Sequence, residues 1–459
     1  MKQLGQILVV AMAALLAGCV QTSEPGIEDL SVTVPENWTV SGPDGDVADG
    51  WLLGFGDPEL TTHVREALGN NLTLKAALAR YDQAVALARI GGADIWPSLS
   101  LYGSAARAMT NNRLDPVTRV RSDRFDVGAT VNWELDLWGR ARAQARGANA
   151  SALAAESDFE AFRLSLASRV VQAWFSAIEQ RRQEALALET VTSFEANLTT
   201  VEERFRRGLN PALDLRLTRA NVAAARATYM VQKRQADTAV RQLEVLLGRY
   251  PSGNMDLPER LPQLEGPIPA GIPADLLLRR PDLNAASQRV VSYQAGLIES
   301  KRALLPAISL TASYGRASSE LEDLLKDNFD VWSLLGNLTA PVFQGGRLRA
   351  NVDLSDARFQ EAIADYQNTA LVAFQEVESA LAAESFLLEQ KDALELAAEE
   401  SAGAQQLAEE RYERGLVEII TVLESQRRAF TARSNALSIQ NQLLQNRLAL
   451  YLALGGNVE

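Results

Sequence analysis

Cysteine and histidine are almost absent from this chain, with one of each in 459 residues. One cysteine excludes an intrachain disulfide framework and a multi-cysteine zinc site. One histidine, His63, excludes a metal centre with two histidines and leaves a single candidate for a histidine general base. Basic side chains are in deficit: 45 stand against 58 acidic ones, a net charge of −13. A nucleic-acid binder needs a basic face to neutralise phosphates, so the balance argues against one. GxxxxGK(S/T), HExxH and GxSxG motifs are missing, which removes the common nucleotide, zinc-peptidase and serine-hydrolase readings. No apolar run reaches the roughly 20 residues of a membrane-spanning helix. The apolar fraction of 47% is nonetheless that of a folded chain.

The amino terminus reads as an address. Lys2 precedes an apolar run from Ile7 to Leu16, followed by Ala17, Gly18 and Cys19. A basic start, about ten apolar residues and small residues before a cut form a secretory signal. Leu16-Ala17-Gly18-Cys19 resembles the bacterial lipobox, in which Cys19 would become the acylated first residue. Val20 and Gln21 follow in place of an aspartate, so delivery to the outer membrane is expected. Several acyl chains, at about 0.8 kcal/mol per buried CH₂, anchor a protein stably. A plain signal peptide would instead leave a lone thiol in an oxidising compartment.

Beyond it the chain repeats itself. Residues 140–207 and 347–414 contain no proline and one internal glycine each, Gly147 and Gly403. Each stretch would span about 100 Å as one helix at about 1.5 Å per residue. Their Ala, Leu, Glu, Gln and Arg content is that of a coiled coil or long bundle. Gly139-Arg140-Ala141-Arg142 answers Gly346-Arg347-Leu348-Arg349, and Arg204-Phe205-Arg206-Arg207-Gly208-Leu209 answers Arg411-Tyr412-Glu413-Arg414-Gly415-Leu416. All these pairs lie 207 positions apart, the mark of an internal duplication. Gly208 and Gly415 suit the left-handed position that ends a helix. Second helices follow at about 212–248 and 417–454, so each half is expected to hold a long antiparallel helical hairpin.

Upstream of each hairpin the period changes to two. From Phe125 to Leu137 the odd positions are Phe, Val, Ala, Val, Trp, Leu and Leu, and the even ones are polar or glycine. Ile308, Leu310, Ala312 and Tyr314 alternate in the same way, with weaker alternation over 98–109 and 331–343. The pattern predicts a strand hairpin in each half, with polar loops near 110–123 and 317–329. Four strands cannot close a spanning barrel, whose smallest form has about eight, and an open edge cannot sit in lipid. Strands that span must therefore be shared among several copies.

Taken together, the chain resembles the TolC-type outer-membrane factors, in the OprM/NodT lipoprotein branch. The resemblance is carried by Trp51-Leu52-Leu53-Gly54-Phe55-Gly56-Asp57-Pro58-Glu59-Leu60, by Ala67-Leu68 with Asn70-Asn71 and Leu74, and by Pro97-Ser98-Leu99-Ser100-Leu101 with Pro306-Ala307-Ile308-Ser309-Leu310. Gly271-Ile272-Pro273 through Arg279-Arg280-Pro281-Asp282-Leu283 and Ala340-Pro341-Val342-Phe343-Gln344-Gly345-Gly346-Arg347 complete the ordered set. It implies a mainly α protein with a β-barrel segment: coiled-coil hairpins plus four transmembrane strands per chain. A homotrimer would form a 12-stranded barrel in the outer membrane and a periplasmic helical tunnel. It also implies a periplasmic adaptor and an inner-membrane pump of the RND type as partners, with no cofactor, no metal and no enzyme chemistry.

The resemblance places the periplasmic gate at the two helical tips. Tyr412 would bond Asp214 on the neighbouring hairpin and hold the pore shut; the bland alternative is coiled-coil packing for Tyr412 and a solvated face for Asp214. The family's companion arginine is replaced by Val417. Ile420, Leu423 and Glu424 align with the inner constriction, where Glu424, three times over, would form an acidic ring favouring cations. An exposed helix glutamate is the alternative. Arg204, Gly208, Leu209, Arg411, Gly415 and Leu416 form the tip turns that would meet the adaptor. The acidic pairs Glu202-Glu203 and Glu409-Glu410 fit either adaptor contacts or a charged tube surface. His63 reads as a surface residue of a capping helix rather than a metal ligand.

The expected layout is a signal peptide over 1–18, a lipidated segment over 19–70 and a first repeat over 71–250. A linker over 251–280, a second repeat over 281–454 and a tail over 455–459 follow. The leading function is a passive outer-membrane exit duct for drugs and toxic small molecules. A type I protein-secretion duct and a pore-free coiled-coil adaptor or structural lipoprotein are the alternatives.

Overall fold

The computed structural model describes residues 34–39, 50–112, 118–264, 266, 268–269, 271, 273, 276 and 279–456. The signal segment, the acylation assignment to Cys19 and the last residues of the tail lie outside the described residues, as does part of the 251–280 linker. In chain order the elements are α1 (Pro58–Asn70), α2 (Leu72–Ala93), β1 (Ser98–Asn112), β2 (Thr118–Leu135), α3 (Arg140–Arg206) and α4 (Ala212–Leu246). Then follow α5 (Pro281–Arg302), β3 (Ala307–Ser318), β4 (Asp330–Thr339), α6 (Arg347–Glu413) and α7 (Ile419–Ala453). α3 and α6 have 67 residues each and α4 and α7 have 35 each, and every boundary in one pair lies 207 positions from its counterpart.

The chain divides into two compact units. One comprises residues 83–154 and 286–366 of the described chain and holds the sheet, in the antiparallel order β1-β2-β3-β4. Cross-strand partners share a face of a sheet. Leu99 pairs Val131 and Leu101 pairs Ala129; Val131 in turn pairs Ala312, and Ala129 pairs Tyr314. Ala312 then faces Leu334 and Tyr314 faces Trp332. One face is thus apolar across all four strands. The opposite face carries Ser100–Thr130–Ser313–Ser333 and Asn132–Thr311, tied by a 2.7 Å bond between the Ser313 and Ser333 hydroxyls and a 3.0 Å bond from Thr311 to Asn132.

The apolar face ends at charged pairs. On the first hairpin Ala105 pairs Phe125, and one pleat beyond them Arg107 donates to Asp123 at 2.6 Å; on the second it ends sooner, where Arg316, opposite Val127, donates to Asp330 at 3.0 Å. From Phe125 to Leu135 a strand covers about 33 Å at about 3.3 Å per residue. At a tilt of about 40° that spans about 25 Å, the height of an outer-membrane apolar band. The loop predicted at 110–123 is much shorter than expected, because β1 runs to Asn112 and β2 starts at Thr118. Charged cross-strand pairing extends the hairpin past its apolar band. Periodicity of hydrophobic residues does not register a strand whose outward face has become polar. Val290, Leu297, Phe359, Ala362 and Ile363, all on helices, form the core of this unit.

The other unit comprises described residues from 34–82, 155–285 and 367–456. Its core gathers Trp51, Phe55, Leu60, Val64, Val170, Trp174, Phe175, Ile178, Leu243 and Leu448. Asp57 explains why the early Gly-Asp-Pro segment has its residues. One carboxylate oxygen accepts the N–H groups of Glu59 and Leu60 at 3.0 Å and caps α1, with Pro58 at its first position. The other accepts the indole N–H of the buried Trp174 at 2.8 Å. The Arg280 side chain is similarly occupied, donating to Glu376 at 2.7 Å, Asp282 at 2.8 Å and the carbonyl of Ala453 at 3.1 Å.

Candidate functional site: the helical tips

The two hairpins of the second unit turn at matching places. α3 ends with Gly208 at φ 78° and α6 with Gly415 at φ 73°. The N–H of Leu209 donates to the carbonyl of Arg204, and that of Leu416 to the carbonyl of Arg411, both at 2.9 Å. These 6→1 bonds satisfy helix-end carbonyls with a glycine in the left-handed region. Behind the turns Val201, Leu215, Ala408, Tyr412, Ile419, Val422 and Leu423 form a separate core, flanked by Leu198 and Val417.

Tyr412 sits inside this core at 5% exposure. Its hydroxyl accepts from Asn210 Nδ2 at 2.9 Å, and the same amide donates to Asp214 Oδ2 at 3.0 Å. Among the described residues Tyr412 and Asp214 are thus joined through Asn210, a relay in place of the direct bond expected. Asp214 lies in the first turn of α4, where a carboxylate is favoured by the helix dipole. Arg204 reaches across from the first hairpin. Its guanidinium lies 4.5 Å over the Tyr412 ring and donates to the carbonyls of Tyr412 at 3.0 Å and Glu413 at 2.7 Å. It caps the negative end of α6 and adds a cation–π contact. Its side chain, half-buried, thus joins the two hairpins within the chain.

The constriction residues separate. Ile420 is 51% exposed, but Leu423 is 4% exposed within the tip core. Leu423 is therefore packing between the hairpins and not a free constriction residue. One helical turn of α7 carries both, and only one of its faces is covered. Glu424 is held by two guanidiniums of its own helix, Arg428 at 2.8 Å and Arg427 at 2.9 Å. Hydrogen bonds from Arg428 and then Arg427 hold its carboxyl below the usual range. Each Glu424 carboxylate thus comes with two positive charges, which bear on the acidic ring expected of it. The signal for this is the i+3 and i+4 spacing of Arg427 and Arg428, which places both guanidiniums on the face of the glutamate.

The tip surface is apolar at Leu209, Leu213, Leu416 and Ile420, all exposed, with Gly208 and Gly415 immediately before Leu209 and Leu416 and Arg411 exposed on the second hairpin. Glu202 and Glu409 are engaged within the tips, Glu202 by Arg219 at 2.8 Å and Glu409 by Gln426 at 2.9 Å. His63 is half-buried, with its ring 4.8 Å from that of Trp174 and its Nδ1 3.6 Å from Glu66. No cluster of three or more potential metal ligands occurs among the described residues.

A sheet with one apolar and one polar face, in a chain whose paired helical hairpins are longer than any globular core requires, defines an outer-membrane channel protein. The chain belongs to the outer membrane efflux protein family, whose model matches residues 63–249 and again 272–456. It is 33% identical to the solvent efflux pump outer membrane protein SrpC of Pseudomonas putida over 407 residues, 88% of this chain and 86% of that protein. It is 32% identical to the outer membrane protein OprJ of Pseudomonas aeruginosa over 467 residues, 98% of this chain and 95% of that protein. The Campylobacter jejuni CmeC outer membrane channel superposes with a TM-score of 0.87 at 27% identity, over 93% of this chain and 94% of that one.

Proposed function

We propose that three copies of this chain form an exit duct that carries small molecules across the outer membrane, energised by an inner-membrane pump through a periplasmic adaptor. The observation that carries this reading is the four-stranded sheet, with β1 and β4 as its two edges and one continuous apolar face. Edges left open in lipid are too costly, so copies join edge to edge. Two copies would give eight strands, whose interior is filled by side chains. Three give twelve and leave a passage. Conduction through such a duct requires no bond chemistry from the chain. The relay at Tyr412 and the clamp at Arg204 support the tip as the gate, and the exposed leucines around Gly208 and Gly415 are where an apolar adaptor tip would seat. Gating is then a two-state splaying of hairpins that adaptor binding biases.

Purified protein in planar bilayers tests the reading. Ion-conducting events that grow when Tyr412 is changed to Phe are expected. Protein that inserts but never conducts, with or without the substitution, would refute it.

A further inference from the structure

The polar face of the sheet is almost uncharged. Among the described strand residues, β1, β3 and β4 present no charged side chain on it, and β2 presents Arg124, Asp126 and Glu134. Glu134 accepts from Arg140 at 3.0 Å, at the end of the sheet that leads into α3. Arg124 and Asp126 lie toward the opposite end, where β1 turns into β2. In the duct reading the polar face lines the passage and this end is its outer mouth.

Three successive rungs of the β1–β2 ladder meet there. Tyr102 pairs Gly128, Ser104 pairs Asp126 and Ala106 pairs Arg124. The first rung continues through Gly315 to Val331, so two facing glycines stand beside the tyrosine. Glycine inside a strand marks a bend or the close approach of another group. Both apply here. A Cβ at Gly128 would stand 2.7 Å from the carbonyl oxygen of Tyr314 and 2.9 Å from Oη of Tyr102, and one at Gly315 would meet the carbonyl oxygen of Val127. Tyr102 thus leans over bare backbone and remains 38% exposed.

On the second rung Asp126 accepts from Ser104 Oγ at 3.2 Å and from Arg124 Nε at 2.9 Å. Its side chain is 14% exposed, whereas that of Arg124 is 70% exposed. Only Nε of Arg124 is engaged; its terminal amino groups donate to nothing among the described residues. The small Ala106 stands opposite. An exposed ion pair of this kind adds little to stability. Its effect is positional: Arg124 folds back over Asp126, which carries the guanidinium one rung toward Tyr102. The remaining separation is one rung, about 7 Å at about 3.3 Å per residue.

We propose that Tyr102 and Arg124 form a solute-binding belt at the outer mouth of the passage, repeated in each copy, for small aromatic anions. The ring of the solute stacks on Tyr102, and its carboxylate, sulfonate or phosphate takes the open N–H groups of Arg124. The proposal rests on the duct reading and adds to it a specificity-determining site. Asp126 offsets the charge of Arg124, so the solute is held by directed bonds and not by a strong field. Weak holding suits a conduit, whose sites must release what they bind.

Single-channel recording from the full-length protein in planar bilayers tests this with benzenesulfonate as the probe. Benzenesulfonate should interrupt the current of the parent channel, and methanesulfonate, which has no ring, should do so far less. Arg124→Gln should raise the half-blocking concentration about tenfold through loss of a charge-assisted contact. Tyr102→Leu should raise it by a smaller factor. Arg119→Gln alters an arginine of the same strand on the opposite face and should leave it unchanged. A protein that never conducts contradicts the duct reading itself. A conducting channel that benzenesulfonate does not block, or whose block survives Arg124→Gln, or is weakened as much by Arg119→Gln, overturns the belt. Equal block by the two sulfonates removes Tyr102 from it.

Discussion

In the proposed gate Asn210 carries more than its position in a turn suggests. Its amide serves two acceptors, Tyr412 and Asp214, so it is the member whose loss unlinks both. Tyr412→Phe removes one neutral hydrogen bond, about 1 kcal/mol per chain, and resting single-channel conductance should rise a few fold. Asn210→Ala should raise it at least as much. An Asn210→Ala channel that stays as closed as the parent would show that Tyr412 and Asp214 bond without it. Glu424 gives a second residue-scale expectation. With Arg427 and Arg428 beside it, the group is already net positive in each chain, and Glu424→Gln makes it more so. Reversal potentials in a salt gradient should shift toward anions. Because Glu424 titrates below the ordinary carboxylate range, it stays charged as pH falls through that range. Selectivity of the parent should then be flat from neutral pH to about pH 5, near the ordinary glutamate range. A selectivity that changes within that interval would mean that the arginines do not hold the carboxylate. These roles are only partly legible in the sequence. Tyr412 and Asp214 carry a recognisable pattern, but a hydrogen-bond relay depends on where a turn places one amide. Leu423 differs from Ile420 only in which face of α7 is covered, a matter settled by packing.

At the scale of elements the sequence is far more explicit, because repetition and period are arithmetic properties. The long helices, the left-handed glycines and the strand positions all follow from them, and helix ends fall within a few residues of expectation. The far end of the first strand hairpin escapes the periodicity because charged and polar residues interrupt the alternation there, and cross-strand pairing such as Arg107–Asp123 reveals it. The glycines offer a test of the turn argument. Gly208 and Gly415 have open space where a methyl group would project, so an alanine there meets only backbone strain, about 1–2 kcal/mol. Gly403 lies inside α6, also with open space, where alanine is favoured by about 0.5–1 kcal/mol. Thermal unfolding followed by circular dichroism should show Gly208→Ala and Gly415→Ala lowering the midpoint and Gly403→Ala raising it. Equal effects at the three sites would contradict the turn geometry.

At the scale of the whole molecule, the chain is complete in its cores and incomplete at its edges. Trp174, Phe175 and their neighbours are satisfied within one copy. The edge strands β1 and β4 are not. The decisive measurement is the native mass of the full chain extracted in mild detergent. Three copies per particle are expected, persisting on dilution. A stable particle of one copy, or of two, would contradict the account, because neither closes a barrel with a passage through it.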